Sequence, residues 1–246
     1  MATGLGLFPP FASNAYLVDE TALGDADGDL TLVDTGLWWN EPTIVDELAA
    51  VGYAPGDLDR VLITHYDLDH VGGLNRLVPE FDGPVYVGTA DLDLLNGDSD
   101  PAWLHHKGLF HRVARQLFPL PDVDLYPVED GDTVGRFTAH TTPGHNPGHV
   151  VYHHEDAAAA FLGDLVWEDD GALTTPIRFD SYDMVEPGPA SSTSPRGFPR
   201  SRWPRWGTVT RSSPTGSRPS RRSLPSTDPL TCVGMAFYSP PVCQSI

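Results

Sequence analysis

The chain has 246 residues, room for one large domain with its own core or for two small ones. It carries 15 Lys and Arg against 34 Asp and Glu, and this net charge of −19 disfavours nucleic acid or an anionic membrane as a partner, because both are polyanions. Such acidity suits solubility in high salt and predicts a halophilic protein; two cysteines and an amino-terminal stretch without a signal-peptide pattern predict a cytoplasmic one.

The charge changes sign near Glu186. Residues 1–186 hold 7 basic and 33 acidic residues, whereas residues 187–246 hold 8 arginines and one acid together with 11 prolines and 12 serines. The second segment has no apolar periodicity, so it cannot build a packed core and is typical of a disordered tail. We therefore expect one folded domain over residues 1–186.

Strand and helix patterns alternate along that domain. Helical spacing is predicted for a segment that Asn40 caps and Gly52 ends, and again over residues 101–118, an insert rich in His and Trp. Seven runs have strand or strand–turn patterns: residues 14–20, 30–36, 60–65, 84–89, 137–145, 149–155 and 157–164. This order of elements predicts an α/β architecture with helices packed on sheets.

The stretch THYDLDHVGG, residues 64–73, carries four candidate metal ligands directly after a buried strand: His65, Asp67, Asp69 and His70. Open α/β folds place ligands at this end of their strands. Imidazole nitrogen suits zinc and iron, and carboxylate oxygen also suits harder ions. The alternative for so acidic a chain is a solvated acidic loop.

Two later patches favour the metal. TPGHNPGH places His145 at the tip of a Pro-Gly turn, and FLGD places Asp164 after an apolar strand, where a carboxylate without a partner would be costly. Each alone is also typical of an ordinary turn. Their order after the loop at 64–73 makes a shared site the stronger interpretation.

These motifs together resemble the metallo-β-lactamase superfamily, in the order SNAYLV and LVDTG, THYDLDHVGG, TPGHNPGHV, and LGD. The resemblance implies a four-layer αββα sandwich with a dinuclear metal site in the cleft between its sheets. Carried over by position, it assigns His65 and His145 to the first metal, Asp69 and His70 to the second, and Asp164 to both. TPGHNPGHV is most similar to the glyoxalase II and lactonase side of the superfamily.

Asp67 departs from the family's loop, which has a histidine at this position. A carboxylate is an anionic, harder donor, so it would lower the net charge of the site and weaken the metal's Lewis acidity. We expect Asp67 to be a ligand all the same. The predicted cofactor is one or two zinc ions, with iron or manganese open because of Asp67.

The family's last histidine, commonly in Gly-His-Gly, has no counterpart, since no histidine follows His154. Shifting the codons of residues 205–211 by one frame forces one glycine and allows Gly-His-Gly-Asp-Pro. With the loss of acidic residues after Glu186, this favours a frameshifted C-terminus, so that the fold lacks its normal end. The alternative is a genuine basic tail, disordered and without a platform for nucleic acid.

The resemblance implies a hydrolase in which a metal-bound hydroxide, oriented by Asp69, attacks an ester, thioester or lactone carbonyl of a small molecule. Asp34 and His149 are expected to hold the ligands in place by hydrogen bonds. The insert's histidines, His105, His106 and His111, are expected on the surface, with substrate contact from Trp103 or His106 as the alternative.

Two rival interpretations remain open. A single iron at His65, Asp67 and His145 could support dioxygenase chemistry on thiol substrates. The chain could instead be an inactive metal-binding relic, because the final ligand is missing.

Overall fold

The computed structural model describes residues 13–39, 42–99, 106–169, 172–174 and 181. The strands of this part are β1 Tyr16–Asp19, β2 Leu30–Val33, β3 Arg60–Ile63, β4 Val85–Gly88, β5 Leu125–Val128, β6 Thr133–Val134, β7 Phe137–Thr141, β8 Val150–His154, β9 Ala159–Phe161, β10 Trp167–Asp169 and β11 Ala172–Thr174. The helices are α1 Ile44–Val51, α2 Leu68–Val71, α3 Leu74–Leu77, α4 Thr89–Asn96 and α5 His106–Leu117.

The first sheet has five strands in the order β1-β2-β3-β4-β5. β1 and β2 form the predicted antiparallel hairpin, and β2 to β5 run parallel. Parallel neighbours need crossover connections, which α1 to α5 supply. The carboxyl ends of β2 and β3 therefore lie at the same edge, where LVDTG and THYDLDHVGG begin.

The second sheet is an antiparallel meander in the order β6-β7-β8-β9, and β10 and β11 form a separate antiparallel pair. Its turns include TPGHNPGH between β7 and β8, and LGD follows β9. The backbone N–H of Val150 donates to the carbonyl of Thr64 at 2.8 Å. This bond ties the start of β8 to the end of β3, so the loops of the two sheets meet.

Alternate residues of the first sheet serve two cores, as the period of a strand requires. Leu32, Val61 and Ile63 pack with apolar side chains of α1, α3 and α4. Val33 and Leu62 point the other way and pack against the second sheet. The layers are thus helix, sheet and sheet, and the predicted α/β architecture with helices on sheets is confirmed.

The local elements match the sequence predictions unevenly. All seven strand predictions correspond to observed strands. The predicted N-cap of α1 is wrong, because Thr43 caps it through a reciprocal pair of hydrogen bonds with Asp46, while Gly52 ends it in the left-handed conformation as predicted. Asn40 lies outside the described residues. Helices α2, α3 and α4 were not predicted, and neither were strands β5, β6, β10 and β11.

The boundary at Glu186, the tail and the missing carboxyl-terminal end concern residues outside the described part, and they stay predictions. No helix within the described ranges is long and apolar enough to cross a membrane.

Candidate metal centre

Three loops bring the candidate ligands to one place between the sheets. His65 and Asp67 follow β3, His145 precedes β8, and Asp164 lies in a short 3-10 turn after β9. Ligand atoms of His65, His145 and Asp164 all lie within 4.8 Å of one another. Their separation along the chain shows that this cluster is a product of the fold.

The site contains two overlapping groups of donors. In the first, His145 Nε2 lies 3.1 Å from Asp67 Oδ2 and 3.7 Å from Asp164 Oδ2, and His65 Nε2 lies 3.5 Å from Asp67 Oδ2. In the second, His70 Nε2 lies 3.8 Å from Asp69 Oδ2 and 3.5 Å from Asp164 Oδ1. Asp164 contributes one oxygen to each group, and its predicted role as a shared ligand stays a prediction.

Several imidazole nitrogens in the site have no hydrogen-bond partner within the described part of the chain. They are His65 Nε2, His70 Nε2 and His149 Nε2, all fully buried. A buried polar atom without a partner costs free energy, so such atoms are rare unless another group binds them. The unpaired nitrogens and the neighbouring carboxylates are the donors that zinc, iron and manganese use. The residues present therefore fit a divalent metal ion.

Asp34 connects the end of β2 to the ligand loop. One carboxylate oxygen accepts the backbone N–H of Thr64 at 2.8 Å, and the other accepts the Thr64 hydroxyl at 2.8 Å and lies 2.9 Å from His70 Nδ1. A carboxylate can only accept here, so His70 Nδ1 carries a proton. Asp34 adopts a φ of 58°, a left-handed conformation that Asp tolerates better than most residues.

Burial and neighbouring charge set the protonation of the donors. Burial and the nearby charge of His70 lower the pKa of His65 to about 4, which leaves His65 neutral and able to bind a metal. Burial raises the pKa of Asp69 to about 7. Burial lowers the pKa of His70, but the negative charges of Asp34, Asp69 and Asp164 outweigh this effect and hold that pKa well above its usual value. Metal binding at His70 must therefore release a proton.

His149 lies beside this cluster, with its ring centroid 5.1 Å from that of His65. Its Nδ1 lies 2.7 Å from the hydroxyl of Thr142. Gly163 lies against it with a φ of 51°, and a Cβ there would come within 2.8 Å of His149 Nε2. A glycine at this position lets the chain turn closely beside the site before Asp164.

The family model described as the metallo-beta-lactamase superfamily matches residues 8–220. The chain belongs to the metallo-β-lactamase superfamily. The resemblance read from the sequence is thus confirmed, and so is the superfamily's fold.

The chain is similar to several known proteins over part of their length. The "Probable metallo-hydrolase YybB" of Bacillus subtilis is 30% identical over 164 residues, which cover 65% of this chain and 68% of that protein. The "Hydroxyacylglutathione hydrolase" of Salmonella typhi is 28% identical over 152 residues, covering 60% of this chain and 46% of that protein. The solved structure of TTHA1623 in a di-iron-bound form is 29% identical, with a TM-score of 0.49 and coverage of 68% and 73%.

In this member of the superfamily, Asp67 contacts three hydrogen-bond donors that the sequence analysis did not predict. Its Oδ2 lies 2.8 Å from Lys107 Nζ, and its Oδ1 lies 3.1 Å from His111 Nε2 and 2.5 Å from Asn146 Nδ2. Burial alone would raise the pKa of Asp67, but Lys107 and His111 hold it well below its usual range. The prediction that His111 is a surface residue is wrong, because it is only 6% exposed. The available signal was the spacing of Lys107 and His111, which places both on one helix face.

Asp91, at the start of α4, was also missed. Its carboxylate is fully buried and accepts the backbone N–H of Tyr66 at 3.0 Å and that of Gly148 at 2.6 Å. It thereby joins the two loops that carry the candidate ligands Asp67 and His145. Trp103 lies outside the described residues, as does the side chain of His106, so their predicted substrate contacts remain predictions.

Proposed function

We propose that the chain is a metal-dependent hydrolase acting on an ester, thioester or lactone carbonyl of a small molecule. The observation that carries the proposal is the pair of buried nitrogens, His65 Nε2 and His70 Nε2, which lack hydrogen-bond partners in the described part of the chain and lie near Asp164. Membership of the metallo-β-lactamase superfamily supports a metal and a hydrolysis. One relative is named a hydroxyacylglutathione hydrolase, and a hydroxyacylglutathione carries a thioester, which supports the carbonyl class.

Two sets of residues offer donors for a metal. They are His65, His145 and Asp164 at one position, and His70, Asp69 and Asp164 at the other. A bound divalent metal would lower the pKa of a water molecule and polarise the substrate carbonyl. Zinc suits these nitrogen and oxygen donors, and the carboxylates also suit iron or manganese.

The protein's own contribution is orientation. The Asp69 carboxylate would accept a hydrogen bond from the attacking water and direct its lone pair at the carbonyl carbon. Asp34 keeps the proton of His70 on Nδ1, so that Nε2 faces the site. The complete burial of His65 keeps bulk water from its Nε2, which strengthens electrostatic interactions there.

Hydrolysis by the full chain tests the proposal. Protein loaded with Zn²⁺, Mn²⁺ or Fe²⁺ is assayed with a p-nitrophenyl ester, a hydroxyacylglutathione thioester and a γ-lactone, and the metal-free protein gives the background rate. We expect turnover of at least one substrate, and its loss in His70→Ala, which removes the unpaired Nε2 beside Asp164. The matched control is His140→Ala, which removes a half-buried imidazole from β7 outside the donor groups.

No turnover of any of the three substrates above the metal-free rate would refute the proposal, as would equal turnover in His70→Ala and the parent chain. Oxygen consumption by the iron-loaded chain with a thiol substrate, in the absence of hydrolysis, would support the mononuclear dioxygenase instead. Tight metal binding without either activity would support the relic.

A further inference from the structure

Lys107 is the only lysine in the chain, and it is buried in the site. Its Nζ lies 2.8 Å from Asp67 Oδ2 and 2.9 Å from His145 Nε2, and it also reaches the backbone carbonyl of His145 at 3.4 Å. Lysine is rarely buried unless it is paired, and here its partners are two of the candidate metal ligands. The ammonium group therefore contacts the same atoms that the superfamily's pattern gives to the first metal.

These contacts leave neither partner free to bind a metal. A neutral imidazole has one nitrogen with a lone pair. If that nitrogen is His145 Nε2, it accepts from Lys107; if Nε2 carries the proton, it donates to Asp67 Oδ2 at 3.1 Å. His145 Nε2 therefore forms a hydrogen bond in either tautomer. The second oxygen of Asp67 is likewise occupied, since it accepts from Asn146 and lies beside His111.

His65 Nε2 in the first group and His70 Nε2 in the second both lack a hydrogen-bond partner in the described ranges. The second group differs in its other members, because Asp69 and Asp164, which lie within 3.8 Å of His70 Nε2, have no described contact with Lys107. The contacts described for Lys107 are to Asp67 and His145, in the first group. A divalent ion bound next to an ammonium group is repelled, and the repulsion is strong in a buried site because the effective dielectric constant is low.

We propose that Lys107 takes the place of the first metal: its ammonium group holds Asp67 and His145, and the chain binds a single divalent ion at His70, Asp69 and Asp164. The inference rests on the metal binding of the proposed function and is independent of the reaction. The inference also explains why an aspartate stands at position 67, where the superfamily usually has a histidine. A carboxylate supplies the negative charge that pairs with an ammonium group, and a neutral histidine does not.

Metal stoichiometry tests the inference. The metal-free full chain is titrated with Zn²⁺ and its metal content is counted after dialysis. We expect one tight equivalent for the parent chain and for Lys107→Arg, which keeps the charge, and two for Lys107→Met, which keeps the length without it. The matched control is Arg112→Met on the same helix α5, which should keep one equivalent.

A second measurement needs no variant. Because Lys107 is the only lysine, protein labelled with ¹³C-lysine shows one side-chain ε-carbon resonance. That resonance should remain in its buried position throughout the first equivalent of Zn²⁺. Two tight equivalents in the parent chain, or movement of the resonance to the position of a solvated lysine during the first, would overturn the inference while leaving the hydrolase proposal standing. Zero equivalents in every variant would overturn both.

Discussion

Replacing Asp34 by alanine should remove a large part of the free energy of unfolding. The carboxylate is 1% exposed and accepts from the Thr64 backbone N–H, from the Thr64 hydroxyl and from His70 Nδ1. The hydroxyl can turn to another acceptor, but the other two donors cannot. Each buried donor left without a partner costs about 1–3 kcal/mol.

The backbone adds to that cost. Asp34 has a φ of 58°, and alanine in the left-handed region costs roughly 1–2 kcal/mol. The expected loss for Asp34→Ala is therefore about 3–8 kcal/mol, against the roughly 5–15 kcal/mol that a typical domain possesses. Asp34→Asn keeps one acceptor and tolerates the left-handed conformation, so we expect it to lose only about 1–3 kcal/mol.

Urea unfolding of the metal-free chain, followed by circular dichroism at pH 7, measures both variants against the parent. Asp34→Asn should unfold at a higher urea concentration than Asp34→Ala. The denaturant slopes of both variants should equal that of the parent, so that the loss of stability appears as a shift of the midpoint. A loss below about 1 kcal/mol for Asp34→Ala would show that the three hydrogen bonds do not support the ligand loop. Equal losses for both variants would show that the left-handed backbone and the retained acceptor contribute nothing.

Three further outcomes are expected. Asp34→Asn should weaken Zn²⁺ binding about 10- to 100-fold in competition with a chromophoric chelator, because its amide no longer requires the proton on His70 Nδ1; an unchanged affinity would contradict this. Burial raises the pKa of Asp91 to about 7, above its ordinary value of 3.8, so the folded state binds more protons than the unfolded state between about pH 4 and pH 7 and stability falls as pH rises through that window. Asp91→Asn should remove up to about 1.4 kcal/mol per pH unit of that slope in urea titrations at pH 5, 6 and 7, and parallel slopes would argue against it. Residues 1–186 hold 33 acidic and 7 basic residues, so molar KCl, with a Debye length of about 3 Å, should raise the melting temperature; identical melts in dilute buffer and molar KCl would refute the predicted salt dependence.

Seven of the eleven strands in the described part, and the order of the ligand motifs, could be predicted from the sequence because they depend on short-range patterns. A run such as RVLI at residues 60–63 has no helical period and is too apolar for a loop, so β3 and the position of His65 after it follow directly. The role of Asp34 in supporting the loop is also a local inference, since VDTG follows β2 at the edge where parallel strands end. The superfamily assignment depends on motifs of this kind.

Only the tertiary structure shows which candidate ligands already form hydrogen bonds or ion pairs with other residues. Nothing near Asp67 in the chain shows that Lys107 and His111 of a distant helix pair with it. The burial of Asp91 could not be predicted either. A carboxylate in the first turn of a helix is usually exposed, and here the packing of two loops buries it. Local sequence determines which donors are available; non-local packing determines which lone pairs remain free, because the partners that compete for them come from elsewhere in the chain.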